Sequence, residues 1–351
     1  MTACAVAQCA NLGPSVLGVG LDCAADHTVA SEGRGSCVPS AVGLRGKAER
    51  RGSTVGRALD YARGMTLRSA TDGDRDVVFA LGVVEEAAWF GRAESSAEEV
   101  GEWVGDEGGV VSGVVAVDDG GRVCGFAAPG RHQAVFLADP ARTDALADEL
   151  LPWLHEQCDV VELMTFAGDT TRAAAFERHG LRHHRSSFLM ARPDATGPLP
   201  VAAFPEGVAV TPYRLGDDDE AVHRLIYLDA AWAAVPGHVE RDLDGWRETA
   251  RRCGSVFLAR RERRPVGWVA GRVLASGRGY VDTLAVAISE RHRGLGRALL
   301  LHALTDLEQA GGRDLMLGVE AENDAALGLY RSIGLKVERE WGIYSLASRQ
   351  G

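Results

Sequence analysis

The chain has 351 residues, 46% hydrophobic and 25% charged, a composition that fits a globular protein with room for two domains. Its 49 acidic residues outnumber 38 Lys and Arg, and the formal net charge of -11 excludes nucleic acid as the main partner while mildly favouring a cationic substrate. No apolar run reaches membrane-spanning length, and seven cysteines without ligand spacing or an even disulfide framework point to a reducing cytoplasm.

Residues 1–64 are rich in Ala, Gly, Ser and Val, carry almost no aromatic residue before Tyr61, and read as a disordered, low-complexity leader. The start lacks a basic region, and residues 15–21 are short for the apolar core of a signal peptide. Met65 is an alternative start, in which case the leader is not part of the native product. A strand at 65–68 leads to a helix with Val77, Val78, Leu81 and Val84 on one face. An acidic, Trp-containing surface segment at 94–107 is followed by a hairpin over 113–127, turning at Asp118-Asp119-Gly120-Gly121. Next come a strand at 134–138, a helix at 141–156 and a strand at 160–165. Asp169 then opens a helix ending at His179-Gly180, and a strand runs to Met190. His179, His183 and His184 have no Cys or carboxylate at ligand spacing nearby, so they read as a solvated helix end and strand, and no metal is expected. Three prolines between Arg192 and Pro200 predict an extended linker. The expected division is therefore a domain at 65–191, a linker at 192–204 and a second domain at 205–351.

The second half opens on a strand at 208–213. Acidic residues at 217–220 start a helix whose dipole they complement, and it carries Val222, Leu225, Ile226 and Tyr227. Pro236-Gly237-His238 breaks it, and a short helix holds Leu243 and Trp246. Strands at 256–260 and 266–274 flank a charged turn, and a third strand follows at 280–286. Simple alternation puts Tyr280, Asp282 and Leu284 on one face and Val281, Thr283 and Ala285 on the other. A helix, Gly311-Gly312, a strand at 315–319, and a helix opened by Asn323 complete the half. This order echoes the first half, most clearly in Asp169…Phe176…Gly180-Leu181 against Asn323…Tyr330…Gly334-Leu335, so the chain reads as an internal duplication.

The chemistry concentrates where strand 280–286 passes through Arg291-x-x-Gly294-x-Gly296 into a helix. Glycines there uncover backbone N–H groups, the helix turns its positive end to the same spot, and Arg291, Arg293 and Arg297 add charge. Such a turn binds a polyanion such as a pyrophosphate. A dinucleotide-binding fold also uses such a turn, with Glu320 at a plausible distance to meet a ribose, but there the first glycine follows the strand at once and a third glycine sits in the helix. Here residues 289–293 intervene and Leu299 stands in the third place.

With the flanking block Asn323-x-x-Ala326-x-x-x-Tyr330-x-x-x-Gly334-Leu335, the pattern resembles the GNAT acetyltransferase superfamily. The resemblance is strong over 280–346, moderate over 205–279 and weak over 65–190. It implies an α+β fold: two tandem GNAT-type units, each with a mixed, mostly antiparallel central sheet flanked by helices. It also implies acetyl-CoA as co-substrate. Backbone groups of Arg293, Gly294, Leu295, Gly296, Arg297 and Ala298, with Arg291 and His292 beside them, would hold the pyrophosphate. Leu284, Ala285 and Val286 would pair with the pantetheine arm, and Asn323 would cap the last helix. Tyr330 would protonate the departing thiolate, and Asp282, with Glu320 as its rival, would take the proton of the acceptor ammonium. Trp232, His238, Trp246 and Tyr280 are the candidates for the acceptor pocket.

The tandem arrangement is similar to that of the mycothiol synthase family, which acetylates the cysteinyl amine of a sugar-linked thiol. Tyr280 stands where that family's base carboxylate is expected, and Asp282 where an aromatic is expected. The first half has Pro140-Ala-Arg-Thr-Asp-Ala145 in place of the glycine turn and Phe176 in place of Tyr330, so it is expected to have kept the fold and lost the chemistry. The expected partners are acetyl-CoA and an amine-bearing small molecule, with no nucleic acid and no membrane, in a monomer or homodimer. The alternatives are a non-catalytic acyl-CoA sensor or a protein N-terminal or lysine acetyltransferase.

Overall fold

The computed structural model describes residues 64–93, 113–130, 133–158, 161–230, 243–274 and 276–346. The leader, the acidic segment at 94–107 apart from its surroundings, the break at 236–238, Trp232 and His238 lie outside the described residues.

The first half runs β1 (Met65–Ser69), α1 (Arg75–Phe90), β2 (Val114–Asp118), β3 (Val123–Ala128), β4 (Val135–Ala138), α2 (Thr143–Gln157), β5 (Glu162–Phe166), α3 (Thr170–Arg178) and β6 (Leu181–Arg192). The second repeats the order from β7 (Val208–Pro212) and α4 (Asp219–Arg224), which ends in one wide π turn over Leu225–Asp229. It continues through α5 (Leu243–Arg252), β8 (Ser255–Arg261), β9 (Arg264–Val273), β10 (Arg278–Val286), α6 (Leu295–Gln309), β11 (Arg313–Glu320), α7 (Asp324–Arg331) and β12 (Lys336–Leu346). The predicted hairpin turn forms because the Asp118 carboxylate accepts from the N–H groups of Gly120 and Arg122 at 3.1 and 3.0 Å.

Four strands, β1-β2-β3-β4, make one sheet, and eight make the other in the order β5-β12-β6-β11-β10-β9-β8-β7. The longer order is not that of two units laid side by side. Strand β6 of the first half lies between β11 and β12 of the second, and β12 lies between β5 and β6. Each half has handed its last strand to the other. The cores follow: Met190 on β6 is buried among α6 and β11 residues, while Tyr344 on β12 is buried against α2, α3 and Phe176. Arg192, where a linker was expected to begin, is the last residue of β6; a short 3-10 turn follows at Asp194–Thr196, and Arg192 donates to the carbonyls of Ile333 (3.0 Å) and Gly197 (2.6 Å). Hydrogen bonding in the sheet, however, crosses that boundary.

Helix α6 sits at the centre of the second half. Leu295, Leu299, Leu300, Leu304 and Leu307 are all buried, packed on Val281, Leu284, Leu317 and Val319 of the sheet. Each such leucine contributes about 1.5–3 kcal/mol by leaving water.

Candidate functional site

Strands β10 and β11 are parallel but pair only from Arg278 opposite Arg313 to Val281 opposite Leu317. Beyond that point β10 keeps its bonds to β9 as far as Val286 opposite Gly267, while β11 runs on to Glu320 without it. The Ala287 N–H donates to Val266 on the β9 side, so the alternation of the strand turns the backbone groups of Leu284 and Val286 toward the opening. The result is a wedge with an edge strand along one wall.

The strand changes course at Asp282, where the register against β9 shifts by a bulge. The extra residue overturns the expected alternation. Leu284 joins Val281 and Val286 on the α6 side, and Tyr280 lies in a different cluster with Leu189, Met316 and Trp341. Asp282 faces Arg272, whose Nε lies 3.3 Å from its Oδ2, and receives the Cys253 thiol at 3.8 Å.

At the mouth of the wedge Gly294 has φ +83°, a conformation that a side chain would strain, and His292 has φ +61°. The first bond of α6 runs from Ala298 N–H to Gly294 C=O at 3.0 Å, so the N–H groups of Leu295, Gly296 and Arg297 have no acceptor within the helix. Gly296 has no such backbone demand, and a Cβ there would meet Val286 and Leu329 only at 3.6 and 3.8 Å. The protein itself does not require glycine at 296; close approach of a phosphate group would.

The three arginines of the turn are not equivalent. Arg291 turns inward, donating from Nε to the Val286 carbonyl at 3.2 Å and from Nη2 to the Ala230 carbonyl at 2.8 Å, so it ties the turn to the end of α4's π turn. Arg293 is 61% exposed, and Arg297 donates to the Ser332 hydroxyl at 2.6 Å. Glu290, the nearest carboxylate, is engaged by Arg261 at 2.9 Å, and that hydrogen bond holds it below the usual carboxylate range.

Asn323 caps α7, accepting from the Ala326 N–H at 3.2 Å, and Tyr330 is buried on that helix beside Leu327 and Ile333. Glu320 ends β11 on the opposite side of the sheet from α6. Its Oε1 accepts from Arg185 at 2.8 Å, and its Oε2 is buried without a hydrogen-bond partner. Burial pushes its pKa above the ordinary 4.5, and the Arg185 charge opposes that rise. Trp246 is 2% exposed with its ring 5.4 Å from that of Trp268, a core position where a pocket wall was expected. Motif reading found neither Arg272 nor Arg185. Arg272 belongs to a strand named only as an element, and Arg185 belongs to the other half.

The matching place in the first half is filled. Asp139 N–H bonds Cys124 C=O as Ala287 N–H bonds Val266 C=O, which sets Phe136 and Ala138 in the places of Leu284 and Val286. There Glu85 accepts from the Ala138 N–H at 2.6 Å, and Arg172 donates to the Phe136 carbonyl at 3.4 Å. Glu85 and Arg172 also bond each other, with side-chain exposures of 1% and 2%. An internal ion pair thus occupies the strand edge. At the helix start Asp139 accepts from the Ala141 N–H at 3.1 Å, placing a carboxylate where the second half offers bare N–H groups.

Residues 222–335 match the sequence model described as the acetyltransferase (GNAT) family. A mycothiol acetyltransferase of Thermobispora bispora is 34% identical over 48% of this chain and 59% of its own length. One from Thermomonospora curvata is 32% identical over 48% and 57%, so the match spans little more than half of these relatives. One from Saccharomonospora viridis is 29% identical over 59% of this chain and 72% of its own. Among solved structures, a GCN5-related N-acetyltransferase from Sphaerobacter thermophilus superposes with a TM-score of 0.66 at 21% identity, over 82% of this chain and 97% of that one. A tandem GNAT protein from the clavulanic acid biosynthesis pathway gives 0.60 at 14% identity, over 82% and 99%. Residues 222–335 therefore belong to the acetyltransferase (GNAT) family, within a chain that has the tandem GNAT fold.

Proposed function

We propose that the protein transfers the acetyl group of acetyl-CoA to a primary amine of a small molecule, and that only the second half does so. The observation that carries this reading is the contrast between two equivalent wedges. In the second half, the Leu284 carbonyl and Val286 N–H on the edge and the N–H groups of Leu295, Gly296 and Arg297 at the helix start are left to a ligand. In the first half, Glu85, Arg172 and Asp139 take the corresponding groups.

On this reading the N–H groups of Leu295, Gly296 and Arg297 hold the pyrophosphate of acetyl-CoA, and the Leu284 carbonyl and Val286 N–H pair with its pantetheine arm as an added strand would. The acceptor nitrogen is nucleophilic only when neutral, so one proton must leave its ammonium. Glu320 takes that proton, directly or through one water, because a carboxylate raised by burial is closer to the working pH than an exposed one. Asp282, tied to Arg272, then orients the amine by charge. A C–N bond forms as the C–S bond breaks, Tyr330 gives its proton to the departing sulfur, and the second proton lost by the acylated nitrogen restores Tyr330 through solvent. Holding both reactants in one wedge supplies much of the acceleration.

Two features favour a small acceptor over a protein chain. Trp89 and Phe90, from the end of α1, pack on Phe166 and Trp341 across the acceptor side of the sheet. The curated relatives, moreover, carry the name mycothiol acetyltransferase. The test is acetyl-CoA titration by calorimetry on the full chain, beside Gly294→Glu and Ala141→Glu. One site, abolished by Gly294→Glu and untouched by Ala141→Glu, is expected. An acceptor screen then follows with a cysteinyl amino sugar, a polyamine and an aminoglycoside. Two sites would show that the first half was misread, and absence of binding would remove the enzyme reading.

A further inference from the structure

The exchanged strand brings more than hydrogen bonds into the second half. Ser187 of β6 lies opposite Glu320 of β11, so Arg185, two residues earlier, stands just beyond the end of β11 on the same face. Its guanidinium spans two carboxylates: Nη1 is 2.8 Å from Glu320 Oε1, and Nη2 is 2.7 Å from Glu162 Oε1 on β5. Glu162 is held in turn by the Gln133 amide at 3.2 Å. Arg185, Glu320 and Glu162 have side-chain exposures of only 19%, 16% and 20%.

We propose that Arg185, a residue of the first half, is the positioning residue for Glu320, so that the proton-accepting side of the second half's site is built by both halves. This rests on the proposed function. The arrangement has the parts such a device needs. Glu162 anchors the arginine, the arginine fixes one oxygen of Glu320 and with it the side-chain rotamer, and the other oxygen, Oε2, is left buried without a hydrogen-bond partner. The buried Oε2 is the polar atom of this cluster that is left for a further hydrogen-bond partner. The charged groups acting on Glu320 are Arg185 from β6, Glu162 from β5, and Glu322 from the turn after β11. Burial and the two glutamates favour its protonated form, and Arg185 alone favours the carboxylate.

Replacing Arg185 by methionine removes the one group that pulls the Glu320 pKa down, so the midpoint must move up. Loss of an opposite charge in contact shifts a carboxylate by about one to three units. Two readouts are taken on the full chain. Carbon-13 NMR of the glutamate carboxyls, with Glu320 assigned by its disappearance in Glu320→Gln, follows the midpoint without any substrate. The acidic limb of kcat/KM, measured with acetyl-CoA and the amine from the acceptor screen, follows it during turnover.

For Arg185→Met we expect both to move to higher pH by about one unit or more, with the loss of activity at neutral pH recovered at alkaline pH and KM for acetyl-CoA unchanged. Arg185→Lys keeps the charge and loses the fork, so its limb stays near wild type while kcat falls. A uniform loss at every pH in Arg185→Met, or an NMR midpoint that does not move, would reduce the residue to a structural ion pair. A moved NMR midpoint with a fixed kinetic limb would show that Glu320 is not the base. If the wild-type chain acetylates no amine at all, the proposed function falls, and this inference with it; an active wild type with a fixed limb overturns the inference alone.

Discussion

Tyr330 is 1% exposed in the core of the second half, on the helix that Asn323 caps. The first half provides a natural control. Phe176 holds the equivalent place on α3, fully buried, with its ring 5.5 Å from Phe136 and 5.7 Å from Tyr344. A phenylalanine therefore fits this site in this fold. Tyr330→Phe is expected to leave stability and acetyl-CoA binding intact and to lower turnover by about 10²–10⁴-fold, the usual worth of a positioned proton donor. Steady-state kinetics beside calorimetry checks this, and unchanged turnover would take Tyr330 out of the mechanism.

Among the secondary elements, the strand edge shows how one fold supports two outcomes. The edge of β4 would carry unpaired backbone groups, and Glu85 and Arg172 take them from inside the chain. The pair is desolvated, so removing Glu85 leaves the buried Arg172 with only Asp169, 3.4 Å away, to balance its charge. Glu85→Ala should therefore cost about 3–5 kcal/mol in chemical denaturation, while acetyl-CoA binding to the second half stays as it was. A loss near zero would mean that Arg172 finds another partner or water, and that the edge is not held as described. The sequence carried part of this. The glycines at 294 and 296 and the Asn323 cap were readable because each has a local cause: a left-handed φ, a close approach, an orphan N–H. The absence of glycine after β4 was readable for the same reason. Glu85 and Arg172 were not, being 87 residues apart on helices whose surroundings only the fold reveals. The bulge at Asp282 also left no mark, since one extra residue in a strand changes no composition and yet moves Leu284 to the other face.

For the whole molecule, the exchange of β6 and β12 decides what can stand alone. Both strands follow equivalent helices, so nothing in their order says which β5-like partner each will choose. The structure gives an arrangement close to two-fold: β6 is antiparallel to β11 and β12, and β12 is antiparallel to β5 and β6. A second half cut free at the linker would expose the β11 edge and the apolar surface that Met190 and Phe188 cover. Its own β12 has the right direction to cover the same edge in another copy, because β12 beside a second β12 would repeat the antiparallel pairing of β12 with β6. Residues 205–351 expressed alone are therefore expected to form a dimer, read by light scattering, with stability that rises with protein concentration. A stable folded monomer would mean that β12 can return to its own β11, and that the two halves share a sheet by proximity and not by need. The same pairing gives the first half a structural part in the second: without β6 the wedge between β10 and β11 loses the strand that backs one of its walls.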